Sequence, residues 1–480
     1  MGLGLDLTGV SKSRGDCAAE EFCQELCDWL SLNAADIFEG AHGPNCGHDH
    51  DHDHDHDHSH DHDGENCGDE DDECRAIVGN VLLFPSTEPL FVEAGPGGTL
   101  RLSTKTTILG PGYHRWLCGL LQELGREFEV EWKQFDEEGN PGDDTGFFFY
   151  GDAARVDYEM LNWLKSASGM LRDYMKQGYG GLGLNMPASP QFLDYGPMLS
   201  ILGPRSAEWL ESVIAEPSKG IDVFPWWEDG QGALLLRNRA LCRMWDSVSW
   251  RKPLDEDDVE LLHAVHNDLE RAYELDPTLS YPWHEWNEIL TLLEQAEEED
   301  LEEEGEEESD EAAGLDVDDR LRATIREFAS VKPGGERIGY RRGNLRTSIA
   351  GGWSIVIPGS LQETYDEEGN WGAVDDERQV WVSSLSLETQ DGDSVPAVEL
   401  LNGLAEDERM EIPFGKHDRI VGGASLTFEE DAETPHWQLT GRCAVDGQAA
   451  ITTVLMLSEA DHDWAIDVWR SLMHQTPEEE

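Results

Sequence analysis

Trp353-Ser-Ile-Val-Ile-Pro-Gly359 sets one Trp, two Ile and one Val within five positions and closes them with a Pro-Gly turn. Aromatic and β-branched residues in a short run bounded by turn formers predict a strand. Three further runs of this kind follow: Gln379-Val-Trp-Val-Ser-Ser384, His436-Trp-Gln-Leu-Thr-Gly441 and Ala449-Ala-Ile-Thr-Thr-Val-Leu455. Behind them, Asp461–His474 places Trp464, Val468 and Leu472 four residues apart, on one face of a helix. Strand-rich sequence ending in one helix predicts an α+β domain, an antiparallel sheet packed under a terminal helix.

Working outward, the 480 residues are too many for one compact core. Residues 75–293 read as a mixed α/β domain. Strands are expected over 81–92 and 99–108 and a helix over Tyr113–Leu124. A helical hairpin closes the domain. Val259, Leu262, Val265, Leu269 and Tyr273 form one stripe, and Trp283, Trp286, Ile289 and Leu293 another. Residues 294–319 hold 16 acids and no Lys or Arg, an acidic linker whose self-repulsion predicts an extended or loosely helical segment. Residues 320–480 are then the α+β sandwich domain, and residues 1–40 an N-terminal segment with a short Cys-bearing helix. The whole is a mixed α/β and α+β multidomain protein.

Two turns share a sequence. Phe135-Asp-Glu-Glu-Gly-Asn-Pro-Gly142 recurs as Tyr365-Asp-Glu-Glu-Gly-Asn-Trp-Gly372, which shared turn chemistry explains better than duplication. The glycines of Gly178-Tyr-Gly-Gly-Leu-Gly183 lack a following Lys-Ser/Thr and a following helix, so a phosphate loop is not expected. His114 stands at a helix start, and His263, His266 and His284 lie on the later helices. These histidines are the only hold for an enzyme in the middle domain, and packed or surface histidines are the commoner outcome.

The loudest chemistry lies in residues 41–74. His48, His50, His52, His54, His56, His58, His60 and His62 alternate with Asp and one Ser. With no apolar side chain to bury, this loop is expected to be disordered. Its imidazoles and carboxylates form a set of exchangeable sites for Zn²⁺ or Ni²⁺. Cys46 and Cys67 flank the run. Upstream, Phe22, Leu26 and Trp29 mark a helix on which Cys23 and Cys27 share a face, so the four thiols could complete a tetrahedral site. The alternative is that Cys23 and Cys27 are small buried hydrophobes. Cys118, Cys242 and Cys443 fall in apolar contexts and read as core.

Charge bounds the partners. With 101 acids against 34 basic residues the net charge is −67, and about −38 survives removal of the two acidic tracts. Bare nucleic acid and anionic membrane surfaces are excluded as partners. A basic protein partner suits the field; adaptation to high salt is the other reading of an acid-rich chain with nine Lys. Lys332, Arg337, Arg341, Arg342 and Arg346 form a local basic cluster, expected to pair with acids nearby. No secretory signal and no membrane-length apolar run is visible, so a cytoplasmic location is expected.

The string Gly352-Trp-Ser-Ile-Val-Ile-Pro-Gly-Ser360, with Trp-containing strands and a terminal helix, resembles the PsbP-like α/β sandwich domains over about 140 residues. The resemblance implies a binding or accessory module and carries no site residues. The resulting expectation is an acidic, non-enzymatic binding protein of inhibitor or immunity type with a Zn/Ni-binding tract. Metal storage or handling is one alternative, and an enzyme of unknown chemistry in the middle domain is the other.

Overall fold

The computed structural model describes residues 2–42, 76–186, 191–303, 319–331, 337–387, 394–404, 410–415 and 419–475, apart from single positions 16, 137, 367, 431 and 433. It contains helices and several antiparallel sheets, as the α+β reading requires. Contacts divide the chain into two units. Unit 1 is Met1–Pro187, Pro197–Arg243 and Asp268–Leu279; unit 2 is Ala188–Gly196, Met244–Asn267 and Ser280–Glu480. The chain therefore crosses between units inside the helical region as well as beside it.

Unit 1 is built on a six-stranded antiparallel sheet in the order β2-β3-β4-β5-β1-β6. Its strands are β1 (Gly4–Ser11), β2 (Gly40–His42), β3 (Ile77–Leu82), β4 (Leu90–Gly95), β5 (Thr99–Lys105) and β6 (Val130–Lys133). β1 sits inside the sheet because Leu5 and Leu7 alternate with Asp6 and Thr8, giving one apolar face. The segment 1–40 is thus folded with the strands that follow the histidine tract. Helix α1 (Ala19–Asn33) lays Phe22, Leu26 and Leu30 against this sheet, each at most 1% exposed and worth about 1.5–3 kcal/mol of burial. Helix α2 (Pro111–Glu127) starts with Pro at its first turn after Gly110, whose φ of 105° only glycine adopts readily. Leu117, Leu121 and Leu124 join the same core.

The run Phe147–Tyr150 becomes a single helical turn, α3, because Gly146 and Gly151 flank it in left-handed conformation. Helices α4 (Ala153–Lys176) and α5 (Ala207–Ala215) pack together over Leu164, Leu210 and Val213. The Gly178–Gly183 segment ends in strand β7 (Leu182–Gly183). That strand runs parallel to β9 (Met198–Ser200), which pairs with β10 (Gly203–Arg205). Between β7 and β9 in sequence, β8 (Gln191–Phe192) belongs to unit 2. Helices α6 (Ala233–Asp246) and α7 (Glu256–Leu275) each have residues in both units.

In unit 2, α8 (Trp283–Glu303) runs well into the acidic tract, helical because Glu is a good helix former, and α9 (Asp319–Ala329) follows. One sheet has the order β20-β12-β11-β8, from β11 (Asn344–Ser348), β12 (Trp353–Pro358), β20 (Met473–His474) and β8. The other has seven strands in the order β13-β14-β15-β19-β18-β17-β16. These are β13 (Gln362–Tyr365), β14 (Trp371–Val374), β15 (Arg378–Ser386), β16 (Ile412–Pro413), β17 (Val421–Glu429), β18 (His436–Val445) and β19 (Gln448–Met456). All pairings in both sheets are antiparallel. Helices α10 (Ala397–Leu404) and α11 (His462–Arg470) complete the unit.

The last helix is shorter than the spacing suggests, and its face is rotated by one residue. Ala465, Val468 and Trp469 are buried, Leu472 lies beyond the helix end, and Trp464 is half-exposed. Gly441 makes room for the Trp469 indole; a Cβ there would come within 2.3 Å of it. In the basic cluster, Arg342 binds Glu288 through two nitrogens at 2.7 and 3.0 Å and stacks 3.6 Å over Trp250. Arg337 reaches the same carboxylate at 2.7 Å, while Lys332 lies outside the described residues.

Candidate metal centre

The histidine tract and its flanking Cys46 and Cys67 lie outside the described residues. Their place in the chain is nonetheless fixed by what surrounds them. Gly40–His42 pairs antiparallel with Asn80–Leu82, so residues 43–75 belong to the connection of one β-hairpin. Insertions between paired strands leave the sheet intact, which is why such a composition is tolerated there.

Cys23 and Cys27 do share a face of α1, and that face packs on the sheet. Both are at most 1% exposed, within the unit 1 core. Cys23 Sγ donates to the Val92 carbonyl at 3.6 Å. A hydrogen bond with Cys27 pulls the Cys23 thiol below its usual range against the opposing effect of burial.

Among the described residues, one group of three metal-ligating side chains converges, and it is a different one: His114, Cys118 and Asp143, whose ligand atoms all lie within 4.8 Å of one another. α2 supplies the first two, four residues apart on its buried face. Asp143 comes from the loop after the Asp136 turn, where Leu5 and Asp143 form an isolated bridge that ties this loop to β1. In that turn Asp136 Oδ1 accepts from Glu138 N and Asn140 N, and Oδ2 from Asn140 Nδ2. Asp366 makes the same three bonds in the second copy. Equal sequence thus gives equal turn chemistry.

His114 and Asp143 have fully buried side chains, with Nε2 3.3 Å from Oδ1. His114 Nδ1 is 2.9 Å from Thr106 Oγ1, and Nε2 is 2.8 Å from Thr145 Oγ1. Asp143 Oδ1 accepts from Thr145 N at 2.7 Å and Thr145 Oγ1 at 2.9 Å, and Oδ2 accepts from Phe148 N at 2.7 Å. Burial alone would raise the Asp143 carboxyl. The bond and charge of His114, with the Phe148 and Thr145 donors, outweigh it and hold the group at about 2. Burial, reinforced by the Asp143 charge, pushes the Cys118 thiol well above its ordinary range.

Hydrogen-bond bookkeeping sharpens the chemistry. A carboxylate only accepts, so the Thr145 hydroxyl donates to Oδ1 and turns a lone pair toward Nε2. Facing that lone pair, Nε2 is satisfied either by carrying the ring hydrogen or by ligating a metal ion. The group could hold a metal ion: the 3.3 Å separation of nitrogen and oxygen equals the edge of a tetrahedron with bonds of about 2.0 Å. In sequence, His114 reads as a helix-start histidine and Cys118 as core. The His-x₃-Cys spacing was the available signal, and nothing in sequence joined Asp143 to it.

Among the described residues, no helix is long and apolar enough to cross a membrane. No protein-family model and no curated protein matches the chain. Among solved structures, one from Bacteroides thetaiotaomicron VPI-5482 has a TM-score of 0.23 at 12% identity, over 26% of this chain and 46% of that one. The chain thus spans less than half of that protein. The solution structure of cyanobacterial PsbP (CyanoP) from Synechocystis sp. PCC 6803 has a TM-score of 0.15 at 12% identity, over 27% of this chain and 91% of that one. These likenesses are weak.

Proposed function

We propose that this is an acidic, non-enzymatic binding protein whose histidine tract takes up Zn²⁺ or Ni²⁺. The observation that carries the reading is the set of eight imidazoles in fifteen residues, placed in a hairpin connection. Neutral imidazole is the ligating form, so uptake is favoured near neutral pH and reversed by acid. The net charge of −67 supports a basic protein as the second binding partner, drawn in by electrostatic steering. The enzyme alternative is weakened by burial, since His114 and Asp143 are both sealed from solvent. His266 is equally closed, accepting from the Trp286 indole at 3.0 Å.

The test is calorimetric titration with Zn²⁺ and Ni²⁺ of the full chain beside a full-length variant with silenced tract. In that variant the eight histidines become Asn, and Cys46, Cys67 and Cys74 become Ser. Several ions bound to the natural chain and at most one to the variant is the expected result. Equal uptake by both removes the tract as the site.

A further inference from the structure

We infer that His114, Cys118 and Asp143 form a second metal site, distinct from the tract, that takes a single Zn²⁺ during folding and holds it as a structural ion. The inference draws on the metal-binding reading for the identity of the ion, and on the geometry for everything else.

The donor set is one that zinc uses: an imidazole nitrogen, a thiolate and a carboxylate oxygen. It also has the support that ligating histidines normally carry. Nδ1 is held by Thr106 Oγ1 at 2.9 Å, and that hydroxyl has the Leu3 carbonyl 3.4 Å away as its own acceptor. The arrangement assigns the hydrogen to Nδ1 and aims Nε2 at the centre. Asp143 is fixed by two backbone amides, so its free valence also points inward. Thr145 Oγ1, 2.8 Å from Nε2 and 2.9 Å from Oδ1, supplies a neutral oxygen beside the charged ligands.

Charge balance favours the exchange. The Asp143 carboxylate and a Cys118 thiolate together neutralise Zn²⁺, so the filled site carries no net charge. The thiol hydrogen leaves as a proton to solvent as Zn–S replaces S–H, while His114 Nε2 and the carboxylate oxygen bind through lone pairs. Because His114 and Asp143 are completely buried, the ion cannot reach the finished site without local opening, and loading belongs to folding.

The experiment uses the full-length tract-silenced variant, unfolded with a chelator and refolded in Co²⁺. The expected result is one Co²⁺ per chain with thiolate-to-cobalt charge transfer. The band is lost on adding Cys118→Ser and kept on adding Cys23→Ser with Cys27→Ser. Should Cys118→Ser fail to fold, X-ray absorption of the zinc-refolded parent decides, with one sulfur at about 2.3 Å expected. A protein that regains its circular dichroism with no cobalt band and no zinc overturns the proposal, and the site is then a hydrogen-bonded His–Thr–Asp cluster. Uptake by the natural chain alone leaves the tract reading standing and this one fallen. One ion in both chains, with the Cys118 signature, does the reverse.

Discussion

Replacing residues 43–75 by a six-residue Gly/Ser linker should stabilise the protein, although it removes 33 residues. The β2–β3 pairing ends at His42 and Asn80, and β3 continues back to Ile77. Six residues reach across that gap with ease, at about 3.3–3.6 Å each. Between His48 and Asp63 the tract has no apolar side chain, so on this reasoning it contributes closure entropy and repulsion and little else. Shortening the loop from 33 to 6 residues lowers the closure cost by (3/2)RT ln(33/6), about 1.5 kcal/mol. Loss of 13 acids acts in the same direction. For a unit of this size that is about 3 to 6 °C in Tm, read by differential scanning calorimetry in chelator-treated buffer. A fall in Tm of a few degrees would refute the reasoning, because it would mean that the tract packs on the fold without metal.

Three further outcomes follow from unit-level contacts. Asp268 accepts from Arg239 through both oxygens and from Arg243 at 2.5 Å, while Arg243 also reaches Glu39 at 2.6 Å. Asp268→Asn leaves two buried guanidinium groups under-compensated and should cost about 3–5 kcal/mol in urea unfolding; a change under 1 kcal/mol would show the network to be slack. His266 is buried and held neutral, its pKa lowered to about 4 by burial first, then by His263 and Arg322. Its contribution is complete above the unfolded value of about 6.5 and is lost as pH falls through 4. This amounts to about 3 kcal/mol, and a pH series in which His266→Gln keeps the same slope would count against it. Asp136→Ala and Asp366→Ala should each lower stability in urea unfolding by a similar small amount, and clearly unequal losses would show that the two turns do not share their chemistry.

What sequence could tell depended on how far apart the interacting residues lie. β12, β15, β18 and β19 were readable because each carries its own burial signal within six or seven residues, and the paired Asp-Glu-Glu-Gly-Asn turns because their bonds close within five. β1 carries a signal of the same kind, Leu5 and Leu7 alternating with Asp6 and Thr8, within a run of only four residues. β17 was harder: Val421-Gly-Gly-Ala424 has no apolar bulk, since Gly422 and Gly423 leave room for Cys443 and Met410, so its strand character comes from the partner. The candidate metal centre follows the same rule. His114 and Cys118 are four apart and were each visible, whereas Asp143 joins them only because β1 holds its loop through Leu5 and Thr145 turns it inward. A carboxylate brought 25 residues by a sheet has no local pattern, and among 101 acids it is marked only by being buried. Burial of an ionised group demands a stated partner. The useful question for so acidic a chain is therefore which few of its carboxylates are sealed; among the described residues these are Asp143, Asp268 and Glu285, the first two each ringed by donors.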